Sequence, residues 1–185
     1  LNQRLCKNTY ESVLTISRTE NGLAFGEGDV VDYVVKMKQL SSERFLDVIA
    51  ARGDLSKGHI DRVVDTLLAF YGSKSQKELN GGEPDLISLS TDENFDQLTP
   101  FVGDLIAPSV FSALRFYTRL FYTTHDRLFK ERIQQTHIRD CHGDLRLEHI
   151  HVSPSGVCIY DCIEFNDRFR YIDVANDIAF LAMDL

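Results

Sequence analysis

The sequence predicts an α+β fold with two unequal parts, a sheet-bearing region over residues 1–72 and a mostly helical region over residues 73–185. Three observations predict this order. β-branched runs and turn signals come first along the chain, and patterns with helical spacing follow. A short strand pair with polar side chains before and after it lies near the end. At 185 residues the chain is long enough for one ordinary core.

The first region is predicted to contain a small antiparallel sheet between residues 10 and 38. The run Val13–Ser17 is rich in β-branched residues, and Val30–Lys38 is a second run of this kind. Asn21-Gly22 is a hairpin turn signal, and Gly26 and Gly28 supply another turn. These runs are therefore expected to pair as neighbouring strands.

Apolar residues then recur at helical spacing in several segments. Predicted helices cover Ser41–Arg52, a segment starting at Ser56, Thr91–Leu98 and Pro108–Gln135. Ser41 or Ser42 is expected to cap the first helix and Gly53 to end it. The polar interval over residues 73–85 is predicted to be a loop.

The last third of the chain alternates short strands with loops before a final helix. Strands are predicted over His149–Val152 and Val157–Tyr160, joined by a turn that contains Pro154 and Gly156. An apolar helix is predicted over Val174–Leu185. The chain begins without Met, and this last pattern is still helical at its end, so we expect a piece of a longer protein.

Composition narrows the class of protein. The net charge of −8 opposes nucleic-acid binding, which requires a surplus of Lys and Arg. No apolar run approaches the length that spans a bilayer. The four cysteines lack CxxC spacing, so reduced thiols in a cytoplasmic protein are predicted.

The most informative segment is Cys141–His149 together with Ile159-Tyr160-Asp161. It places Asp144 on a predicted loop and Asp161 at the end of a predicted strand. Two carboxylates in this arrangement suit phosphoryl transfer, because one can receive a hydroxyl proton while the other holds magnesium.

This segment resembles the catalytic loop of the aminoglycoside phosphotransferase and choline kinase family, which has the protein-kinase-like fold. The family pattern is His-Gly-Asp, four residues, Asn, a strand hairpin and a metal-binding Asp; His142, Gly143, Asp144 and Asp161 match it. His149 stands where the family has Asn, and Cys162 stands where it usually has an aromatic residue.

The resemblance implies a two-lobe fold with an incomplete N-terminal sheet and a truncated helical C-terminal lobe. It implies that Asp144 is the catalytic base and that Arg146 stabilises the transferring group. Asp161 is implied to bind Mg²⁺, with His149 either a further ligand or a brace for the loop. Asp173, at the start of the last helix, is implied to hold the catalytic loop through hydrogen bonds.

The resemblance also implies a nucleotide-binding lysine on the second strand run. Lys36 best matches the family's apolar-apolar-Lys run, although Lys38 shares its strand face. Its acidic partner is expected on the next helix, as Glu43 or Asp47. The implied cofactors are ATP and Mg²⁺, and the implied partner is a small-molecule hydroxyl acceptor.

The chain resembles most an uncharacterised bacterial branch of that family, whose members often continue into a P-loop ATP-binding domain. Two other interpretations stay open at this point. His142, Asp144, His149 and His151 are suited to a metal-dependent phosphohydrolase. The Asn replacement instead favours a catalytically degraded, nucleotide-binding regulatory module.

Overall fold

The computed structural model describes residues 2–73 and 84–185. Its first element is a short 3-10 turn at Asn2–Arg4. A three-stranded antiparallel sheet follows, with strands β1 (Tyr10–Thr19), β2 (Gly22–Phe25) and β3 (Asp29–Met37) in the order β2-β1-β3. The predicted N-terminal sheet is therefore confirmed.

The two turns of this sheet lie where the sequence predicted them. Thr19 pairs with Gly22 across the first hairpin, and Arg18 pairs with Asp29 on the other side of β1. Gly28 has a φ of +134°, and a Cβ atom there would lie 2.7 Å from the Arg18 carbonyl oxygen. A glycine is therefore required where the chain crosses β1 closely.

The helices are α1 (Leu46–Ala51), α2 (Lys57–Tyr71), α3 (Pro84–Leu98), α4 (Pro108–Thr124) and α5 (Asp126–Gln134). Ser56 caps α2 in a capping box with His59; a helix was predicted from Ser56, but this cap was not. Most of the predicted loop over residues 73–85 lies outside the described residues, and α3 begins earlier than the predicted helix over Thr91–Leu98.

Two predicted helices are broken in the structure. The segment from Ser41 has a 3-10 turn at Ser42–Arg44, no serine side-chain cap, and Phe45 in an extended conformation that bridges His151. The long pattern from Pro108 divides at His125, where the Thr124 hydroxyl donates to the Leu120 carbonyl and the His125 ring contacts the Phe121 carbonyl. Such side chains compete with the helix for its own acceptors.

Two small antiparallel pairs and a helix complete the chain. Strands β5 (Ile150–Ser153) and β6 (Gly156–Ile159) form the predicted hairpin. Strand β4 (Ile138–Asp140) pairs with β7 (Tyr171–Asp173), and α6 (Val174–Asp184) follows directly. The β4–β7 pair was not predicted, because each strand has only three residues.

The buried core lies between α1, α2, the loop segment over residues 141–149 and the β5–β6 hairpin. Its fully or almost fully buried members are Leu46, Val63, Leu145, Ile150 and Ile159. Two of them precede residue 72 and three follow it, so the core spans the predicted boundary between the two parts.

The N-terminal segment packs along β6. The Ile159 N–H donates to the Leu5 carbonyl, and Cys6 and Cys158 form a disulfide with their Cα atoms 4.6 Å apart. The prediction of reduced thiols is therefore wrong for this pair, because the fold brings together residues 152 positions apart. Cys141 and Cys162 are free and buried. In the described ranges, no helix has the length and apolar character needed to cross a membrane.

Candidate functional site

The loop after β4 carries His142, Gly143 and Asp144 at the edge of the core. Gly143 has a φ of +88°, and a Cβ there would lie 2.6 Å from the Phe169 carbonyl oxygen. Only glycine fits this position without displacing the neighbouring backbone. The family-like Gly143 is thus explained by a close backbone approach.

His142 is fully buried beneath this loop and braces it. Its Nε2 lies 2.8 Å from the Tyr160 carbonyl oxygen, and its Nδ1 accepts the Asp144 N–H at 3.3 Å. A carbonyl oxygen only accepts, so the ring carries its hydrogen on Nε2. Burial lowers the pKa of His142 below its usual value, which favours this neutral form.

The carboxylate of Asp177 holds the same loop from below. It accepts the N–H groups of His142 at 2.7 Å and Gly143 at 2.9 Å, and the Tyr71 hydroxyl at 2.8 Å. Asp177 is almost completely buried, and burial together with this carboxylate raises the pKa of Tyr71. Three donors around one buried carboxylate give the loop a rigid base.

This bracing role was expected of Asp173, and that expectation is wrong. The Asp173 side chain instead binds Arg132 through two hydrogen bonds and caps α6 by accepting the Ala175 N–H. Asp173 is the residue before α6, whereas Asp177 lies one turn inside it, on the face directed at the loop.

Asp144, His149 and Asp161 come together in space. Asp144 Oδ2 lies 3.8 Å from His149 Nδ1, and Asp161 Oδ2 lies 3.8 Å from His149 Nε2. The imidazole is about 10% exposed, whereas the side chains of Asp144 and Asp161 are 38% and 70% exposed. Two accessible carboxylates therefore flank one nearly buried ring.

His149 is also tied to the backbone of the loop that carries Asp144. Its Nδ1 lies 2.8 Å from the Asp144 carbonyl oxygen, and its own carbonyl accepts the Tyr160 N–H. The ring stacks on His142 and contacts the edge of Tyr160. The predicted brace role of His149 is met by these contacts, while its predicted ligand role depends on Nε2.

Asp161 adopts an uncommon backbone conformation. Its φ is +62°, in the left-handed region that residues other than glycine rarely occupy. Its N–H donates to the Tyr10 hydroxyl oxygen at 3.1 Å. Strained backbone of this kind collects at functional sites, where the surroundings hold a side chain in one direction.

Both ends of the described chain reach the site. The Asn2 side chain accepts the N–H of Cys162, directly after Asp161, at 2.8 Å. Asp184, the last residue of α6, accepts the Leu147 N–H, three residues after Asp144, at 2.8 Å. These two contacts add a carbonyl and a carboxylate acceptor to backbone donors that flank the site residues.

Lys36, the predicted nucleotide-binding lysine, pairs with an acid other than those expected on the next helix. Lys36 Nζ lies 2.9 Å from Glu11, and this contact lowers the pKa of Glu11. The expected pairing of Lys36 with Glu43 or Asp47 is therefore wrong; β1 supplies the acid from the neighbouring strand. Lys36 still lies near the end of β3, where Met37 pairs with Tyr10.

Arg146 forms an ion pair with Glu148 at 2.7 Å, and both side chains are about half exposed. It lies at the start of the 3-10 turn Leu147–His149. An exposed pair of this kind contributes little to stability. Arg146 is therefore free to exchange Glu148 for another anion at low energetic cost.

The histidine constellation considered for a phosphohydrolase is not gathered into one metal site. His142 uses both ring nitrogens within the protein, and His151 lies in β5 with its ring against Phe45. Within residues 2–73 and 84–185, no group of three or more His, Cys, Asp or Glu side chains is arranged to hold a metal.

Three residues of the site were missed by sequence reasoning: Asn2, Tyr10 and Asp184. Each contacts the site backbone across a sequence separation of 37 to 160 residues. No local spacing signals such contacts. Asp177 also lies near the start of the last helix, and its position one turn inside α6 is the sequence signal that could have identified it as the brace.

Comparison with known proteins gives distant relatives without an assigned activity. The chain is 27% identical over 187 residues to uncharacterised proteins of Mycobacterium bovis and of two Mycobacterium tuberculosis strains. The alignment covers 100% of this chain and 36% of each relative, so the chain spans about a third of their length. No protein-family model matches the chain, and no solved structure matches it significantly.

Proposed function

We propose that this chain is the phosphotransferase part of an ATP-dependent small-molecule kinase with a protein-kinase-like, two-lobe arrangement. The observation that carries the proposal is the convergence of Asp144 and Asp161 on opposite nitrogens of His149, each at 3.8 Å. These carboxylates belong to different segments, and phosphoryl transfer needs a proton acceptor and a metal-binding acid close together.

Asp144 is suited to act as the base. It follows a loop held by the buried Asp177 carboxylate and by the His142 ring, so its backbone is fixed. Its carboxylate is 38% exposed, which leaves it accessible to a substrate hydroxyl. A fixed, accessible carboxylate is what general-base catalysis requires.

The donor set beside Asp144 fits a divalent ion. Asp161 offers a carboxylate and His149 an imidazole nitrogen, and nucleotide-bound metals commonly take only one or two protein ligands beside phosphate and water. When bound, Mg²⁺ supplies neutralisation of charge on the ATP phosphates. The strained backbone of Asp161 and its bond to Tyr10 direct the carboxylate toward His149.

Two cations are available for the phosphates. Lys36 lies near the end of β3 that adjoins Tyr10, and Tyr10 contacts Asp161. Arg146 lies two residues after Asp144 and forms an ion pair with Glu148, whose side chain is about half exposed. We assign Lys36 to nucleotide binding and Arg146 to the transferring group. Glu43 has an exposed side chain and is not assigned as the partner of Lys36, because Lys36 pairs with Glu11.

The acceptor in this proposal is the hydroxyl of a small molecule, and the compartment is the cytoplasm. The relatives are nearly three times as long as this chain, so a further domain of the P-loop ATP-binding type is compatible with them. The activity of the whole protein belongs to the same proposal.

Calorimetric titration of ATP tests it, with and without Mg²⁺, on the wild type, Asp161→Asn and Asp54→Asn. Asp54 is an exposed carboxylate in the loop after α1 and serves as the matched control. We expect metal-dependent binding that Asp161→Asn weakens at least tenfold and that Asp54→Asn leaves unchanged. A well-folded wild type that binds no ATP contradicts the proposal.

The base is tested separately with Asp144→Asn. This variant is expected to bind Mg·ATP normally, because Asp144 is assigned no role in holding the nucleotide. Release of ADP, followed by ³¹P NMR with a panel of hydroxyl compounds, should fall by at least a hundredfold. Equal ADP release by Asp144→Asn and wild type would remove Asp144 from the reaction.

A further inference from the structure

The protonation pattern of the His149 ring is fixed by its surroundings. Nδ1 lies 2.8 Å from the Asp144 carbonyl oxygen, which only accepts hydrogen bonds. Nδ1 therefore carries the hydrogen, and in the neutral ring Nε2 presents a lone pair. That lone pair faces the Asp161 carboxylate at 3.8 Å.

In the neutral form of the ring, His149 Nε2 and the Asp161 carboxylate are both electron-pair donors, and one divalent cation can bind both. Ligand atoms about 2.1 Å from one ion lie about 3 Å apart when adjacent and about 4 Å apart when opposite. The distance of 3.8 Å between His149 Nε2 and Asp161 Oδ2 lies between these two values, so a small movement of the exposed Asp161 side chain brings both atoms onto one ion. His149 is 8% exposed, so its direction is set by packing.

The donor type decides which ion fits. Mg²⁺ prefers oxygen ligands, whereas imidazole nitrogen favours first-row transition ions. A site with the family's Asn would offer an amide oxygen at this position, and His149 replaces that oxygen with nitrogen.

We propose that the His149–Asp161 pair makes this site selective for a nitrogen-binding first-row divalent ion over Mg²⁺, and Mn²⁺ is the spectroscopic probe of that selectivity. The proposal rests on the proposed function only in placing the nucleotide phosphates at the same ion. Phosphate and water would supply the remaining ligands, because the described ranges contain no group of three or more His, Cys, Asp or Glu side chains arranged to hold a metal.

Mn²⁺ titration followed by electron paramagnetic resonance tests this, with Mg²⁺ as the competitor. The variants are His149→Asn, which restores an amide oxygen, and His125→Asn, which removes an exposed imidazole elsewhere. Wild type and His125→Asn should prefer Mn²⁺ over Mg²⁺ by at least tenfold. His149→Asn should lower that preference by about tenfold, and an unchanged preference overturns the proposal.

A second readout keeps the test decisive where His149→Asn fails to fold. Electron spin-echo modulation of Mn²⁺ bound to the wild type should show a directly coordinated ¹⁴N nucleus. Bound Mn²⁺ without that nitrogen signal overturns the proposal, as does a folded wild type that binds no Mn²⁺.

Titrations with and without ATP separate this proposal from the proposed function. Nitrogen-coordinated Mn²⁺ in a protein that binds no ATP supports the ion preference and contradicts the proposed phosphotransferase function. Metal-dependent ATP binding with equal Mn²⁺ and Mg²⁺ affinities in wild type supports the phosphotransferase function and contradicts the ion preference.

Discussion

The hydroxyl oxygen of Tyr10 accepts the backbone N–H of Asp161 at 3.1 Å, across 151 residues of sequence. The first residue of the N-terminal sheet thereby fixes the orientation of the acid assigned to the metal. Burial raises the pKa of Tyr10, which keeps its hydroxyl in the protonated, neutral form.

Tyr10→Phe removes the acceptor and leaves the ring. We expect Mn²⁺ affinity to fall about fivefold, since one hydrogen bond contributes about 1 kcal/mol. Tyr33→Phe is the control, because Tyr33 is a strand tyrosine with 65% of its surface exposed. Equal metal affinities in the two variants, measured by titration, would show that Tyr10 does not position Asp161.

Gly143→Ala should destabilise the protein by about 2–3 kcal/mol, because a Cβ at a φ of +88° would meet the Phe169 carbonyl oxygen. Gly58→Ala lies in α2, where a Cβ meets nothing closer than 3.8 Å, and should stabilise by about 0.5–1 kcal/mol. Urea denaturation measures both changes, and the same sign for both would contradict the structure.

Asp177→Asn replaces one of two acceptor oxygens with a donor amide beneath the loop that carries His142 and Gly143. We expect a loss of about 3 kcal/mol, because buried N–H donors lose their partner. Tyr71→Phe removes only one of the three donors and should cost about 1 kcal/mol. If the two variants lose equal stability, the backbone bonds from His142 and Gly143 are not significant to the fold.

Reduction of the Cys6–Cys158 disulfide should destabilise the protein by about 4–5 kcal/mol, since it opens a loop between residues 152 positions apart. A double variant, Cys6→Ser with Cys158→Ser, should show the same loss without reductant. Thermal melts with and without reductant measure it. The double variant itself must not respond to reductant, and a response would locate the redox effect at Cys141 or Cys162.

Stability should also fall at acidic pH because of two buried histidines. Burial lowers the pKa of His142 and of His151 in the folded state, so below about pH 6.5 the unfolded chain binds more protons. The stability that these neutral, buried histidines allow is fully present above their pKa in the unfolded chain. It is lost as the pH decreases toward their lower pKa in the folded protein. Urea midpoints at pH 7.5 and 5.5 measure this loss.

His151→Leu should make that pH dependence shallower, while His125→Asn should leave it as in the wild type, because His125 is exposed. Identical slopes in all three proteins would mean that buried histidines do not control the acid response.

Local patterns predicted the elements that close over short sequence distances. The Asn21-Gly22 hairpin, the helix that follows Ser56 and the β5–β6 hairpin each depend on residues within a few positions of one another. Asp144, His149 and Asp161 also lie in one short stretch of sequence. They converge because the β5–β6 hairpin brings Asp161, after β6, back beside His149, which precedes β5.

The rest could not be predicted because it depends on long-range packing. The disulfide, the Tyr10 contact and the acid partner of Lys36 join segments whose proximity no spacing encodes. The helix break at His125 came from side chains that bind helix carbonyls, which an apolar stripe does not reveal. The β4–β7 pair is too short to leave a pattern.

The contacts of Asn2 and Asp184 with the two loops of the site have a practical consequence for labelling. A dye attached to the chain beside either residue would lie close to Asp161 or to the segment that follows Asp144. If metal or nucleotide binds at the site as proposed, the emission of the dye would change, with no substitution inside the site. A bulky affinity tag at the same points would compete for that space, so fluorescence, rather than purification, is the better use of these positions.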